Sequence, residues 1–318
     1  MKIVIMEANT LGNDIDLGIF EQLGEVVTYG ESNPSENASR IVDADIVIAN
    51  KITMNAELLE TAKKLRLICL TATGTNNIDF AYTKARNISV ANVKSYSTQS
   101  VVQHTFALLF YVYEKLSYYD QYVKSGEYTR SDIFSNFDMK FNELAGKTWG
   151  IIGLGEIGRS VAAIAKLFGC RVIYYSTSGK NQNPDYERVE FNTLLTTSDI
   201  ISIHAPLNDQ TKDLISEEAL NQMKSSAILL NLGRGPIVNQ EALAKALLEG
   251  KIGGAGLDVL TVEPMAADNP LLKVQDSTKL IITPHIAWAT VEARQRCAKE
   301  VYLNIEAFLN NEKRNIVE

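Results

Sequence analysis

TWGIIGLGEIGRSVAAIAKLFG, residues 148–169, runs from an apolar β-forming stretch through spaced glycines into a helix-forming stretch. Within it, Gly153-Leu154-Gly155-Glu156-Ile157-Gly158 fits G-x-G-x-x-G. That pattern carries weight only between a strand and a helix, which is its setting here. The first glycine permits a tight turn, the second lets backbone approach a pyrophosphate, and the third lets the helix pack close to the strand. The helix N-terminus adds free N–H groups and the positive end of a dipole. Residues 153–158 are therefore the expected phosphate contacts of a dinucleotide.

Further β-rich runs follow at RVIYY (171–175), DIISIHA (199–205), AILLNLG (227–233), GAGLDVL (254–260) and KLIITPH (279–285). With 148–155 they make six strands, enough for one doubly wound parallel sheet. Upstream, KIVIM (2–6), DIVIA (45–49), LRLICLTA (65–72) and ISVANV (88–93) alternate with amphipathic stretches such as 54–64 and 79–86. Such alternation predicts a second parallel sheet with right-handed crossovers. A chain of 318 residues also exceeds the roughly 250–300 at which a single core stops growing.

Two long helices are expected. Residues 98–118 are apolar nearly all round, as an interdomain spine or an oligomer contact would be. Residues 290–310 place Val301, Ile305, Phe308 and Leu309 on one stripe. Because this helix follows the last strand, it is expected to return the chain to the first domain. The fold class is α/β, with a discontinuous first domain (1–99 and 287–318) and a second inserted as 100–286. The polar stretch 178–186 reads as a surface loop.

The formal charge of −7 argues against a nucleic-acid or anionic-membrane surface, each of which wants a basic patch. No stretch approaches the roughly 20 apolar residues of a membrane span. Residues 1–8, MKIVIMEA, are too short and too soon acidic for a signal peptide. Cys69, Cys170 and Cys297 are odd in number and far apart, with no CxxC. They suit neither a disulfide frame nor a zinc site, so a reducing, cytoplasmic setting and no metal are expected.

A dinucleotide fold of this kind ordinarily carries an acidic residue about 20 positions on, holding the ribose 2′-OH. Here RVIYY runs into Ser176-Thr177-Ser178-Gly179-Lys180, with no acid before Asp185. Ser176, where the carboxylate would stand, and Thr177 are the expected ribose contacts. Without the carboxylate, a 2′-phosphate is not repelled, and hydroxyls or Lys180 suit one. The hydroxyls suit the ribose diol equally, so NAD and NADP both stay open.

The histidines are His104, His204 and His285. His104 lies in the apolar helix and reads as a packed or interface residue. His204 ends a strand in His204-Ala205-Pro206 and is expected to line the cofactor pocket. His285 follows the strand LIIT, Arg234 follows AILL, and Glu263 follows GAGLDVL. If those strands share a parallel sheet, their carboxyl ends share the edge where open α/β sheets bind ligands. An arginine, a carboxylate and an imidazole beside a nicotinamide suit one chemistry. Arg234 would clamp the carboxylate and carbonyl oxygen of a 2-oxo acid. His285 would protonate that oxygen as hydride reaches carbon 2, with Glu263 keeping the imidazole oriented.

GLGEIGRSVAAIAKLFG, SDIISIHAPL, ILLNLGRGPIV, GAGLDVLTVEP and ITPHIAW together resemble, in order, the signatures of the D-isomer-specific 2-hydroxyacid dehydrogenase family. Arg234, Glu263 and His285 fall on that family's catalytic residues. The resemblance implies a Rossmann cofactor domain inserted into a flavodoxin-like substrate domain, the two closing on the substrate, and a homodimer built around the long helices. It implies Leu232, Gly233 and Asp258 as further cofactor contacts. It also implies Thr73 and Gly74, in TATGTNN, as the loop whose N–H groups receive the substrate carboxylate. Trp288 is either a cover over the substrate side chain or packing at a helix start. YSTQSVVQHTFALL looks most like members acting on glycerate and hydroxypyruvate. Alternatives are D-lactate or another 2-oxo acid pair, phosphite oxidation, and a non-catalytic NAD-binding sensor. Formate oxidation is disfavoured, because formate dehydrogenases resemble this chain but place glutamine where Glu263 stands.

Overall fold

The computed structural model describes residues 1–317. Contacts divide the chain into two compact units: Met1–Ser97 together with the segment from Trp288 on, and Thr98–Ala287. The first unit holds β1 (Lys2–Ile5), β2 (Glu25–Thr28), β3 (Ile46–Ala49), β4 (Leu67–Leu70) and β5 (Ser89–Ala91). They form an all-parallel sheet in the order β2-β1-β3-β4-β5, the flavodoxin-like winding. Alternate residues feed two cores: Ile3, Ile46, Leu67 and Ala91 on one face, Val4, Val47, Ile68 and Val90 on the other. Burial on both faces is why these strands read as unbroken apolar runs. The helix Val291–Leu309 lays Ala293, Cys297, Val301 and Ile305 on the first of those faces, and the Thr290 hydroxyl caps its N-terminus at Ala293 N.

The second unit holds β6 (Thr148–Ile152), β7 (Arg171–Tyr175), β8 (Glu187–Arg188), β9 (Ile200–Ile203), β10 (Ile228–Asn231), β11 (Gly254–Leu257) and β12 (Leu280–Ile282). Their order is β12-β11-β10-β9-β6-β7-β8, all parallel, the Rossmann winding with one strand added. The chain runs to one side of β6 and then crosses to the other, so a switch point lies between β6 and β9.

Three local expectations need correction. Glu25–Thr28 and Glu187–Arg188 are strands that the sequence pattern did not mark; both are short edge strands with exposed residues and no apolar run. The helix expected over 98–118 is two helices, Thr98–Tyr113 and Leu116–Lys124, broken where Lys115 adopts a left-handed conformation (φ 58°). The all-round apolar character of the first has an explanation inside its own unit. It lies close on β11 because Gly254 and Gly256 leave room for Val112 and Leu108, and Phe106 packs at a tilt against the buried Trp149, ring centroids 5.1 Å apart. The three cysteines are buried, and burial pushes the Cys170 thiol up to about 11 and that of Cys297 to about 12, which leaves them unreactive as nucleophiles.

Candidate active site

One line of register runs across the second sheet: Tyr175, Ile152, Ile203, Asn231, Leu257 and Ile282 are successive partners. The next residue on each strand is therefore Ser176, Gly153, His204, Leu232, Asp258 or Thr283. Six strands end level, and every side chain or turn that leaves them starts from the same edge.

At the centre of that edge the chain is shaped to admit a phosphate. Gly153 has φ 92°, and a Cβ there would stand 2.8 Å from the Ala205 backbone. A Cβ on Gly158 would meet Gly153 O at 2.3 Å, so the helix Glu156–Leu167 presses directly on the turn. Above Gly155 a Cβ would meet nothing within 4 Å, and no side chain caps the helix. An open, uncapped helix start beside backbone too tight for side chains fits a pyrophosphate. Leu154 is buried and its carbonyl accepts from Arg159; Ile157 is half-buried and the Glu156 carboxylate accepts from Thr98 Oγ1 at 2.7 Å.

Ser176 turns inward: it is buried, and its Oγ accepts from Asn181 N at 3.3 Å. Thr177 is half-buried and Ser178 and Lys180 are exposed. Arg188, unforeseen because it sits on the unmarked strand β8, reaches back to donate to Gly179 O at 2.9 Å. A guanidinium thus lies beside the turn where an acid would ordinarily stand. No spacing rule points to Arg188; the pairing of Tyr174 with Arg188 brings it there.

On the other flank, β10, β11 and β12 are neighbours and release Arg234, Glu263 and His285 from level ends. Buried Asn231 shapes the first turn, its Oδ1 accepting from Gly233 N and its Nδ2 donating to Arg234 O at 3.0 Å. Arg234 donates to Gly233 O at 2.8 Å. Glu263 splits its carboxylate: Oε1 accepts from Leu260 N at 2.8 Å, and Oε2 meets His285 Nδ1 at 2.7 Å. Since the carboxylate only accepts, Nδ1 carries the proton and Nε2 is the nitrogen left for other chemistry. His285 itself sits at φ 55°, a conformation that costs a non-glycine residue about 1–3 kcal/mol. Its N–H is fixed on Asp258 O and Thr283 O, both at 2.9 Å.

Asp258 is buried and serves that same turn, accepting from Thr283 Oγ1 at 2.7 Å, Ile286 N at 2.8 Å and Ala287 N at 2.9 Å. Of the other histidines, His204 has both ring nitrogens buried without a partner among the described residues, and burial pulls its pKa down to about 4. Burial also lowers that of His104, against an opposing pull from Asp258. Both stay neutral near pH 7, which leaves them poorly suited to donate a proton. Beside His204, Ala205 packs under Gly153 and Pro206 O accepts from Thr211 Oγ1.

In the first unit, Thr73 and Gly74 lie in the turn after β4. Thr73 Oγ1 donates to Val93 O at 2.8 Å and Asn92 Nδ2 donates to Thr73 O at 2.7 Å. Their two backbone N–H groups donate to nothing among the described residues. Trp288 packs edge-on against Tyr96, with ring centroids 6.2 Å apart, over the core of that unit.

Gly235 went unremarked in the sequence because its reason is not local. A Cβ there would stand 1.9 Å from the Leu260 carbonyl carbon, so the Arg234 turn lies directly on the loop that carries Glu263. Gly235→Ala is expected to cost about 1–3 kcal/mol of stability and to depress kcat, because backbone must move at both residues. Urea unfolding and turnover check it; wild-type values in both contradict the contact.

The chain is similar to known proteins over its whole length. Residues 106–287 match the family model for the D-isomer specific 2-hydroxyacid dehydrogenase NAD binding domain. The chain is 39% identical over 318 residues to glycerate dehydrogenase of Methylorubrum extorquens, covering 100% of this chain and 99% of the relative. It is 38% identical over 324 residues to hydroxypyruvate reductase of Blautia hydrogenotrophica, with 100% and 99% covered. The D-lactate dehydrogenase of Aquifex aeolicus, solved with NAD and lactic acid, superposes with TM-score 0.86 at 27% identity, covering 100% of this chain and 99% of that one. The chain belongs to the D-isomer-specific 2-hydroxyacid dehydrogenase family, and is an oxidoreductase that uses a nicotinamide cofactor on small 2-hydroxy acids.

Proposed function

We propose that the chain interconverts D-glycerate and hydroxypyruvate, with Arg234, Glu263 and His285 as its catalytic residues. The observation that carries the reading is the Glu263–His285 pair at 2.7 Å, on the same sheet edge as Arg234 and the glycine turn. The substrate choice rests on the two curated relatives and on the match at residues 96–109. Gly153–Gly158, Ser176, Thr177, His204–Pro206, Leu232, Gly233 and Asp258 would hold the cofactor, which would supply or take the hydride at carbon 2.

The residues do the rest. Arg234 offers a planar fork to the substrate carboxylate and 2-oxo oxygen, binding and orienting both. The free N–H groups of Thr73 and Gly74 are donors of the kind a carboxylate takes. His285 Nε2 gives a proton to the 2-oxo oxygen in reduction and takes it back in oxidation. Glu263 fixes the tautomer and stabilises the imidazolium before transfer. The ring of Trp288 is engaged with Tyr96, which supports packing over a substrate contact.

His285→Ala is expected to cut kcat by about 10²–10⁴ while leaving cofactor affinity unchanged. Arg234→Ala is expected to raise KM for the 2-oxo acid by about a hundredfold, the loss of a charged hydrogen-bonded clamp. Nicotinamide absorbance across a panel of 2-oxo acids tests all three assignments. Wild-type kcat in His285→Ala or wild-type KM and kcat in Arg234→Ala removes that residue's role, and a tenfold preference for pyruvate over hydroxypyruvate removes the substrate choice.

For the cofactor, we propose that NADPH is accepted alongside NADH. Support comes from the missing acid at Ser176 and from Arg188 and Lys180 near the turn. The ratio of kcat/KM for the two reduced forms decides it, and a hundredfold NADH preference contradicts it.

We further propose a homodimer. Phe134 and Phe137, 89% and 76% exposed, lie with exposed Ile133 and Phe141 in one segment, 133–141, whose apolar side chains a second copy would cover. Sedimentation equilibrium should give twice the chain mass; a single-chain mass contradicts the proposal. Three buried thiols suit a cytoplasmic location, which cell fractionation outside the cytoplasm would overturn.

A further inference from the structure

The turn that carries His285 is tied to the helix Thr98–Tyr113, whose role in the chemistry is otherwise silent. Two side chains make the tie. Ser100 Oγ donates to Ala287 O at 2.5 Å, and His104 Nε2 lies 2.9 Å from Thr283 Oγ1. Thr283 Oγ1 in turn lies 2.7 Å from Asp258 Oδ1. A hydroxyl has one proton, and an ionised carboxylate can only accept. Thr283 must therefore donate to Asp258, and so must accept from His104. The chain of donors is fixed in direction: His104 Nε2–H to Thr283 Oγ1–H to Asp258. His104 is thereby held as the Nε2–H tautomer, and burial keeps it neutral.

Asp258 is where this chain meets the reactive group. Its carboxylate holds Ile286 N and Ala287 N, and its carbonyl holds His285 N. A left-handed histidine persists only where its surroundings over-determine it. Without the His104 N–H, Thr283 Oγ1 loses its donor and the half-buried imidazole (side chain 19% exposed) no longer braces the turn from the helix side.

We propose that His104 is a positioning residue for His285, acting through Thr283 and Asp258 to hold the imidazole in register with Glu263. This rests on the reading of His285 as proton donor, and asks how that donor is aimed. His104 touches no reacting atom in this account, so its loss should fall on kcat and spare substrate affinity, which Arg234 governs.

The chain has three histidines, so ¹⁵N-histidine spectra can be assigned by substitution. His104→Leu keeps an apolar side chain of similar reach without the N–H; His104→Gln restores an N–H near the position of Nε2. In His104→Leu the His285 ring resonances should move, and kcat should fall about tenfold with KM for the oxo acid within about twofold. In His104→Gln both should return most of the way to wild type. Unmoved His285 resonances in folded His104→Leu, or no recovery in His104→Gln, overturn the proposal. If His104→Leu does not fold, Thr283→Val breaks the same relay without touching the helix, and the same shift is required of it. Failure of the functional reading is separate: wild type would then reduce no 2-oxo acid, while the His285 resonances would still report whether His104 sets its position.

Discussion

Everything at the site depends on strands that stop together. Between Tyr175 and Ile282 a single line of backbone pairing crosses six parallel strands, and each departs from the sheet at the next residue. A slip of one residue in any strand would reverse which face its side chains meet, and burial on both faces makes such a slip costly. Level strand ends let residues as far apart in sequence as Gly153 and His285 leave from one edge without a long loop. The glycine turn, Asn231, Asp258 and Thr283 then lie along one edge, which spans four strand spacings of about 4.8 Å from β6 to β12.

The strands were legible because they are buried on both sides. Runs such as DIVIA and AILLNLG have no polar face to interrupt them, and the glycine turn announces its own strand and helix. What escaped were elements stabilised by something other than an apolar run. The edge strands Glu25–Thr28 and Glu187–Arg188 have little to bury. The break at Lys115 falls on a residue with good helix propensity, so nothing local announces it.

The same division holds within the site. Arg234, Glu263 and His285 stood out as polar residues just beyond apolar runs. Their supports were not legible as supports, because each serves a contact remote in sequence: Gly235 at Leu260, Asp258 (expected as a cofactor contact) at the 283–287 turn, and His104 (expected as a packed or interface residue) at Thr283. Ser176 stands at the expected position but spends its hydroxyl on Asn181 N. Position along a strand can be read from a pattern; the direction of a side chain at its end depends on the loop that folds over it.

The most direct measurement is a crystal structure of the chain with its oxidised or reduced nicotinamide cofactor and an unreactive 2-oxo acid analogue. The account predicts the analogue's carboxylate on the Arg234 guanidinium and its oxo oxygen within hydrogen-bond distance of His285 Nε2, with the pyrophosphate over Gly155. An analogue bound away from Arg234 and His285, with those side chains facing solvent, would contradict it.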